Sequence, residues 1–153
     1  MAGEGVYLLQ RNSSFIIKPY FMASITNAVL SIAHDREKKI ARVKVTCNVN
    51  FTALELCQMK SCRGNWFKLK CQLWGDDSGL TGADDFLYTL SNVFYFPDGS
   101  PTATETRTFE VVVGEGLLDE DWGTDEVYAK LILYNLNTLV NITKNTNNVS
   151  HSF

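Results

Sequence analysis

Two stretches of strict alternation constrain this chain more than anything else in it. In residues 41–51, Val43, Val45, Cys47, Val49 and Phe51 fall on one parity, and Arg42, Lys44, Thr46, Asn48 and Asn50 on the other. In residues 66–74, Phe67, Leu69, Cys71 and Leu73 oppose Lys68, Lys70 and Gln72. A period of two puts all the apolar side chains on one side of an extended chain, and only a half-buried strand uses that pattern.

Further strands follow from the same reasoning. Residues 86–96 are rich in aromatic and β-branched types and end at the turn signal Pro97-Asp98-Gly99. Residues 106–113 end at Gly114, and residues 126–136 alternate with both parities largely apolar, which predicts cover on both faces. Residues 149–153 suit a short last strand. Residues 24–33 are read as a strand rather than a helix, because the polar run 34–39 makes a natural hairpin tip. The Asn/Thr-rich stretch 135–148 reads as a loop or irregular hairpin.

The result is an all-β chain, an antiparallel β-sandwich of roughly seven to nine strands in a single domain. A length of 153 residues, with 45% apolar and 20% charged side chains, is enough to bury such a core. Residues 1–22 read as an N-terminal extended arm or edge strand, and 23–153 as the sandwich. The arm is apolar at Val6, Tyr7, Leu8 and Leu9 and again from Phe15 to Met22. An apolar edge of this kind invites strand addition between copies.

Acidic residues are unevenly distributed. Of the seventeen, four lie in segment 75–85 and six in segment 114–126. If strands run alternately up and down, both segments and Asp35 fall at one end of the sandwich. Crowded carboxylates repel one another unless a cation neutralises them. Calcium is the expected cation, since it takes six to eight oxygen ligands in flexible geometry. The expected donors are Asp76, Asp77, Asp84, Asp85, Asp119, Asp121 and Asp125. Segment 119–130 is not an EF-hand loop: Gly123 stands at the fifth position, and Lys130 stands where a bidentate Glu is needed. The alternative is that these are solvated turns, partly neutralised by Arg36, Lys38 and Lys39.

Other features are weaker. Arg42, Lys44, Lys68 and Lys70 could make a basic patch, or simply a solvated face. Trp66 and Trp74 share parity with the lysines, where a ring can stack on a sugar, anchor an interface or cap the core rim. Cys47 and Cys71 are expected to point inward on neighbouring strands as inert thiols. Cys57 and Cys62 are expected in one loop, able to form a short disulfide in an oxidising compartment. Four Asn-X-Ser/Thr matches, at Asn12, Asn50, Asn141 and Asn148, are read as chance.

No nucleophile elbow, phosphate-cradling loop or H-E-x-x-H motif is present, and two histidines give little material for a catalytic triad. The chain is therefore read as non-enzymatic. A net charge of −3 argues against nucleic acid, so the expected partners are a protein or carbohydrate ligand or copies of the chain itself. No signal peptide or membrane span is visible, which predicts a cytoplasmic protein or one exported by a non-classical route.

Overall fold

A computed structural model describes residues 22–76, 84–118 and 125–151. The expected arm of residues 1–22 lies outside the described residues, except for Met22. The strands are β1 (Ser24–Asp35), β2 (Ile40–Asn50), β3 (Phe67–Gly75), β4 (Asp85–Thr89), β5 (Phe94–Phe96), β6 (Thr104–Gly114), β7 (Asp125–Asn135), β8 (Asn141–Asn145) and β9 (Val149–His151). Among the described residues one α-helix, α1 (Ala53–Ser61), connects β2 to β3.

These strands form two antiparallel sheets. The first has the order β1-β2-β6. The second has β3 and β7 at its centre, with β4 and β5 end to end along the outside of β3 and β8 and β9 end to end along the outside of β7. The alternation seen in the sequence is what fills the space between them. Val43, Val45, Cys47 and Val49 of β2, and Phe67, Leu69, Cys71 and Leu73 of β3, are all buried. Phe109 and Leu30 join them from the first sheet, and Val127, Ala129, Leu131 and Leu133 from the second.

Residues 24–35 are a strand, as the polar turn after them implied. A bulge interrupts their pairing between Thr26 and Val29, where Asn27 takes a positive φ of 50°. Asn is one of the few side chains that accept this conformation readily. The stretch 86–96 is not one strand but two, because Leu90 turns into the core between β4 and β5. Residues 135–148 contain β8, joined to β7 by a short turn in which the Asn135 side chain accepts from the backbone N–H of Asn137 and Thr138.

Two expectations from the sequence are corrected by the sheet order. β2 and β3 are not neighbours; they lie in opposite sheets. Cys47 and Cys71 therefore face each other's sheet across the core rather than lying side by side. For the same reason Arg42 and Lys44 lie on one outer face of the sandwich, and Lys68 and Lys70 on the other. The connection that carries the chain across is α1, so Cys57 is helical rather than in a loop, and Cys62 is the residue that ends the helix. Its start is a capping box: the Thr52 hydroxyl accepts from Glu55 N–H, and the Glu55 carboxylate accepts from Thr52 N–H at 2.8 Å. The other Glu55 oxygen accepts from Ala23 N–H and so ties the helix to the entry of β1.

The ends of the two sheets coincide. Phe51, just after β2, packs on Phe67 at the start of β3 and on Phe96 at the end of β5, with ring centroids 5.0 and 5.3 Å apart. Nearer the other end, the Asn147 side chain accepts from Leu30 N–H and donates to Leu30 O, so the β8–β9 connection closes the free edge of β1. The β1–β2 turn thus shares a pole with the end of β3 and the start of β7.

Candidate functional site

That pole carries the acidic residues the sequence singled out. Asp76 follows β3 directly, and its N–H donates to Glu126 O at 2.7 Å. Asp85 opens β4 opposite Gly75, and Asp125 opens β7 two residues before Val127, the register partner of Gly75. Antiparallel register alone therefore brings Asp76, Asp84, Asp85 and Asp125 to one end of the second sheet. Asp77, Asp119 and Asp121 lie outside the described residues.

One of these carboxylates has a defined partner on the sheet. The Tyr128 hydroxyl donates to Asp84 Oδ2 at 2.7 Å. Burial first, then this hydrogen bond, then the charges of Asp84 and Asp76, push the Tyr128 hydroxyl up to about 12. Each effect opposes the phenolate. Asp76 also accepts from the Asn148 side-chain amide. Asp85 is exposed. Among the described residues no three Asp, Glu, His or Cys side chains converge as a metal-binding group.

Asp35, at the same pole, is neutralised within its own turn, where Lys38 Nζ lies 3.2 Å from its carboxylate. His34 Nδ1 lies 3.5 Å from Glu115 Oε1 just beyond β6. The sequence reading did not anticipate Tyr128 or Asn148. The signal for Tyr128 was its parity: it stands directly opposite Trp74 on the outer face of the second sheet.

The outer faces differ. On the first sheet, a shallow hollow of about 450 Å³ is lined in part by Ser31, Ala33, Arg42, Lys44, Glu110 and Val112. There Lys44 and Glu110 are paired at 3.0 Å. On the second sheet, the register builds rows of aromatic, lysine and amide side chains. Phe86, Trp74 and Tyr128 form one row, and Gln72, Lys130 and Asn145 the next. Lys70, Ile132 and Thr143 follow, then Tyr95, Lys68, Tyr134 and Asn141. Lys130 Nζ sits 4.9 Å from the Trp74 ring centre, and Phe86 meets the same ring edge-on at 5.6 Å. Trp66, by contrast, packs against the core at the opposite pole.

All four thiols are free. Burial pushes the Cys47 thiol up to about 11, with the nearby Arg107 charge opposing. Burial, and then Cys47, push Cys71 up to about 12. Cys57 and Cys62 are exposed. A thiol reagent at pH 8 is therefore expected to modify two cysteines quickly and the other two only on unfolding; four equally fast thiols would refute this. Since the folded pKa values exceed the ordinary 9.0, the buried thiols favour the folded state fully below pH 9. That contribution is lost as the pH climbs through 11 to 12.

No helix among the described residues is long and apolar enough to cross a membrane. No known family model matches the sequence. No curated protein matches it either. Among solved structures, the chain is similar to the X-ray structure of Northeast Structural Genomics Consortium target SoR45, at 10% identity over 84% of each chain with a TM-score of 0.37.

Proposed function

We propose that this protein is a non-catalytic, calcium-binding recognition or adhesion module whose cation is held by the acidic connections 75–85 and 114–126. The observation that carries the reading is the gathering of Asp76, Asp84, Asp85 and Asp125 at one end of the second sheet. Carboxylates gathered at one sheet end repel one another, and a divalent cation relieves that repulsion. Asp85 and Asp125, on the strands that flank β3, supply oxygen donors beside Asp76 and Asp84, and the segments between supply Asp77, Asp119 and Asp121. The bound ion orders both connections and leaves coordination positions for a ligand.

The test is thermal unfolding in calcium and in chelator. A ligand at about a hundred times its Kd stabilises by roughly 2.7 kcal/mol, which for a domain of this size raises Tm by roughly 5–10 °C. The double variant Asp76→Asn/Asp84→Asn is expected to lose most of that rise. A melting curve indifferent to calcium on the order of millimolar rejects the reading.

A second reading, a self-assembling structural subunit, is favoured by one specific observation. Among the described residues, β6 is paired on one side only along its eleven-residue length, whereas the Asn147 side chain occupies the edge of β1 at Leu30. An extended apolar arm from residues 1–22 of another copy would add to that edge. Removing residues 1–22 is expected to reduce the mass in solution to a folded monomer; an unchanged mass, or unfolding, counts against assembly.

A further inference from the structure

We infer that the outer face of the second sheet binds a linear, carboxylate-bearing polysaccharide; this deepens the recognition reading and rests on it. The face is unusual for an outer one. Trp74, Ile132 and Tyr134 lie half-buried on its two central strands, with Tyr128 buried at the acidic end and Phe86 and Tyr95 on the flank, 51% and 41% exposed. Among the described residues no third layer covers it.

Its charge is one-sided. Lys68, Lys70 and Lys130 project from it, the register places no carboxylate in the same rows, and none of the three lysines has an ion pair among the described residues. Lysine ammonium groups rest instead on ring faces, Lys68 on Tyr134 at 5.6 Å and Lys130 on Trp74 at 4.9 Å. An ammonium held only by a ring is available to an anion, and the ring it leaves is available for stacking. This pattern calls for an occupant that is both anionic and flat.

Charge narrows the choice. Residues 1–21 carry Arg11 and Lys18 against Glu4 and so do not complement the face. A second copy docked face to face would bring six lysines together. Single-stranded nucleic acid draws its affinity mainly from phosphate neutralisation. The rows that hold the lysines carry amides and hydroxyls, at Gln72, Asn141, Thr143 and Asn145, which suit sugar hydroxyls rather than a phosphate backbone.

A uronic acid polymer fits the remaining chemistry. Its carboxylates pair with lysines spaced about 6.6 Å along β3. Its ring faces stack on Trp74, Tyr134 and Tyr95. Its hydroxyls meet the amides and hydroxyl of Gln72, Asn141, Thr143 and Asn145.

The experiment is calorimetric titration of the full chain with polygalacturonate in chelator, so that the cation site plays no part. The neutral methyl ester of the same polymer, an oligothymidylate and phosphatidylserine vesicles serve as competitors. Saturable, salt-sensitive binding to polygalacturonate is expected, with the methyl ester weaker. Affinity is expected to fall roughly tenfold or more in Lys68→Gln/Lys70→Gln and separately in Tyr95→Ser. The second variant keeps the test decisive if the first unfolds. No binding to polygalacturonate, binding unchanged in both variants, or tighter binding to the oligothymidylate or vesicles overturns the inference. A calcium-dependent melting shift that survives such a result leaves the cation reading standing and removes the glycan.

Discussion

Replacing Phe109 by alanine is expected to destabilise the protein by about 4 kcal/mol, far more than any substitution on either outer face. Phe109 is fully buried in the middle of β6. Its ring meets Phe94 edge to face at 4.9 Å and so links the first sheet to the short strand β5 of the second. Truncation removes the transfer free energy of the ring, leaves a cavity between two sheets that cannot close independently, and deletes an aromatic pair worth about 1 kcal/mol. For a domain of this size the loss corresponds to roughly 8–16 °C in Tm. Val112→Ala, three residues further along the same strand but on its exposed outer face, is expected to change stability by no more than about 0.5 kcal/mol. Chemical denaturation of both variants checks the pair. Comparable losses would mean that β6 does not present Phe109 and Val112 to opposite faces.

Arg107→Ala is expected to cost about 3 kcal/mol, because it leaves a shielded carboxylate behind. Arg107 is on the inward parity of β6, opposite Cys47, with only 14% of its side chain exposed. Its guanidinium is held by the Asp98 carboxylate, by Glu105 at 3.3 Å and by the Thr106 carbonyl at 2.8 Å. It also lies 4.8 Å from the centre of the Phe96 ring. Glu105 is as shielded as Arg107, and without the guanidinium its donors among the described residues are the N–H and hydroxyl of Thr102. Arg107→Met/Glu105→Gln is expected to recover a good part of the loss, since it restores apolar contact with the rings and removes the stranded charge. Urea unfolding with an unchanged m-value is the measurement; a double variant no better than Arg107→Ala would reject the orphaned carboxylate as the source of the cost. Inward charges on an edge strand also discourage pairing with another chain along that half of β6, leaving residues 108–114 as the open part of the edge.

Much of the fold could be read in the chain before any coordinates. Alternation in 41–51 and 66–74 identified both strands and which of their residues are buried, because side-chain parity is a local property of extended backbone. The helix α1 was missed for an equally local reason. It is short and its apolar residues show no helical period, so its one signal is the capping pair Thr52 and Glu55, easily lost inside a connection. Strand β8 was legible only as part of a loop or irregular hairpin, because Ile142 is its one apolar residue among Asn, Thr and Lys. It forms because β7 offers it a free edge, with Ile142 packed against the core. That Asp76 and Asp84 share one pole was foreseeable in outline from strand order. The hydroxyl bonded to Asp84 was not, since Tyr128 reads as one more outward residue until Asp84 is placed beside it.

The chain's own pattern was enough to set the class of fold, the buried set in each long strand and the segregation of acidic connections from the strands they join. All of these depend on residues within a few positions of one another. Neighbourhood was decided elsewhere. That β2 and β3 sit in opposite sheets, that three lysines share a face with five aromatic rings, and that Arg107 turns inward beneath Phe96 all depend on which edges pair across long stretches of chain. Such pairing is settled by how well whole sheets fill the space between them, and no local pattern encodes that.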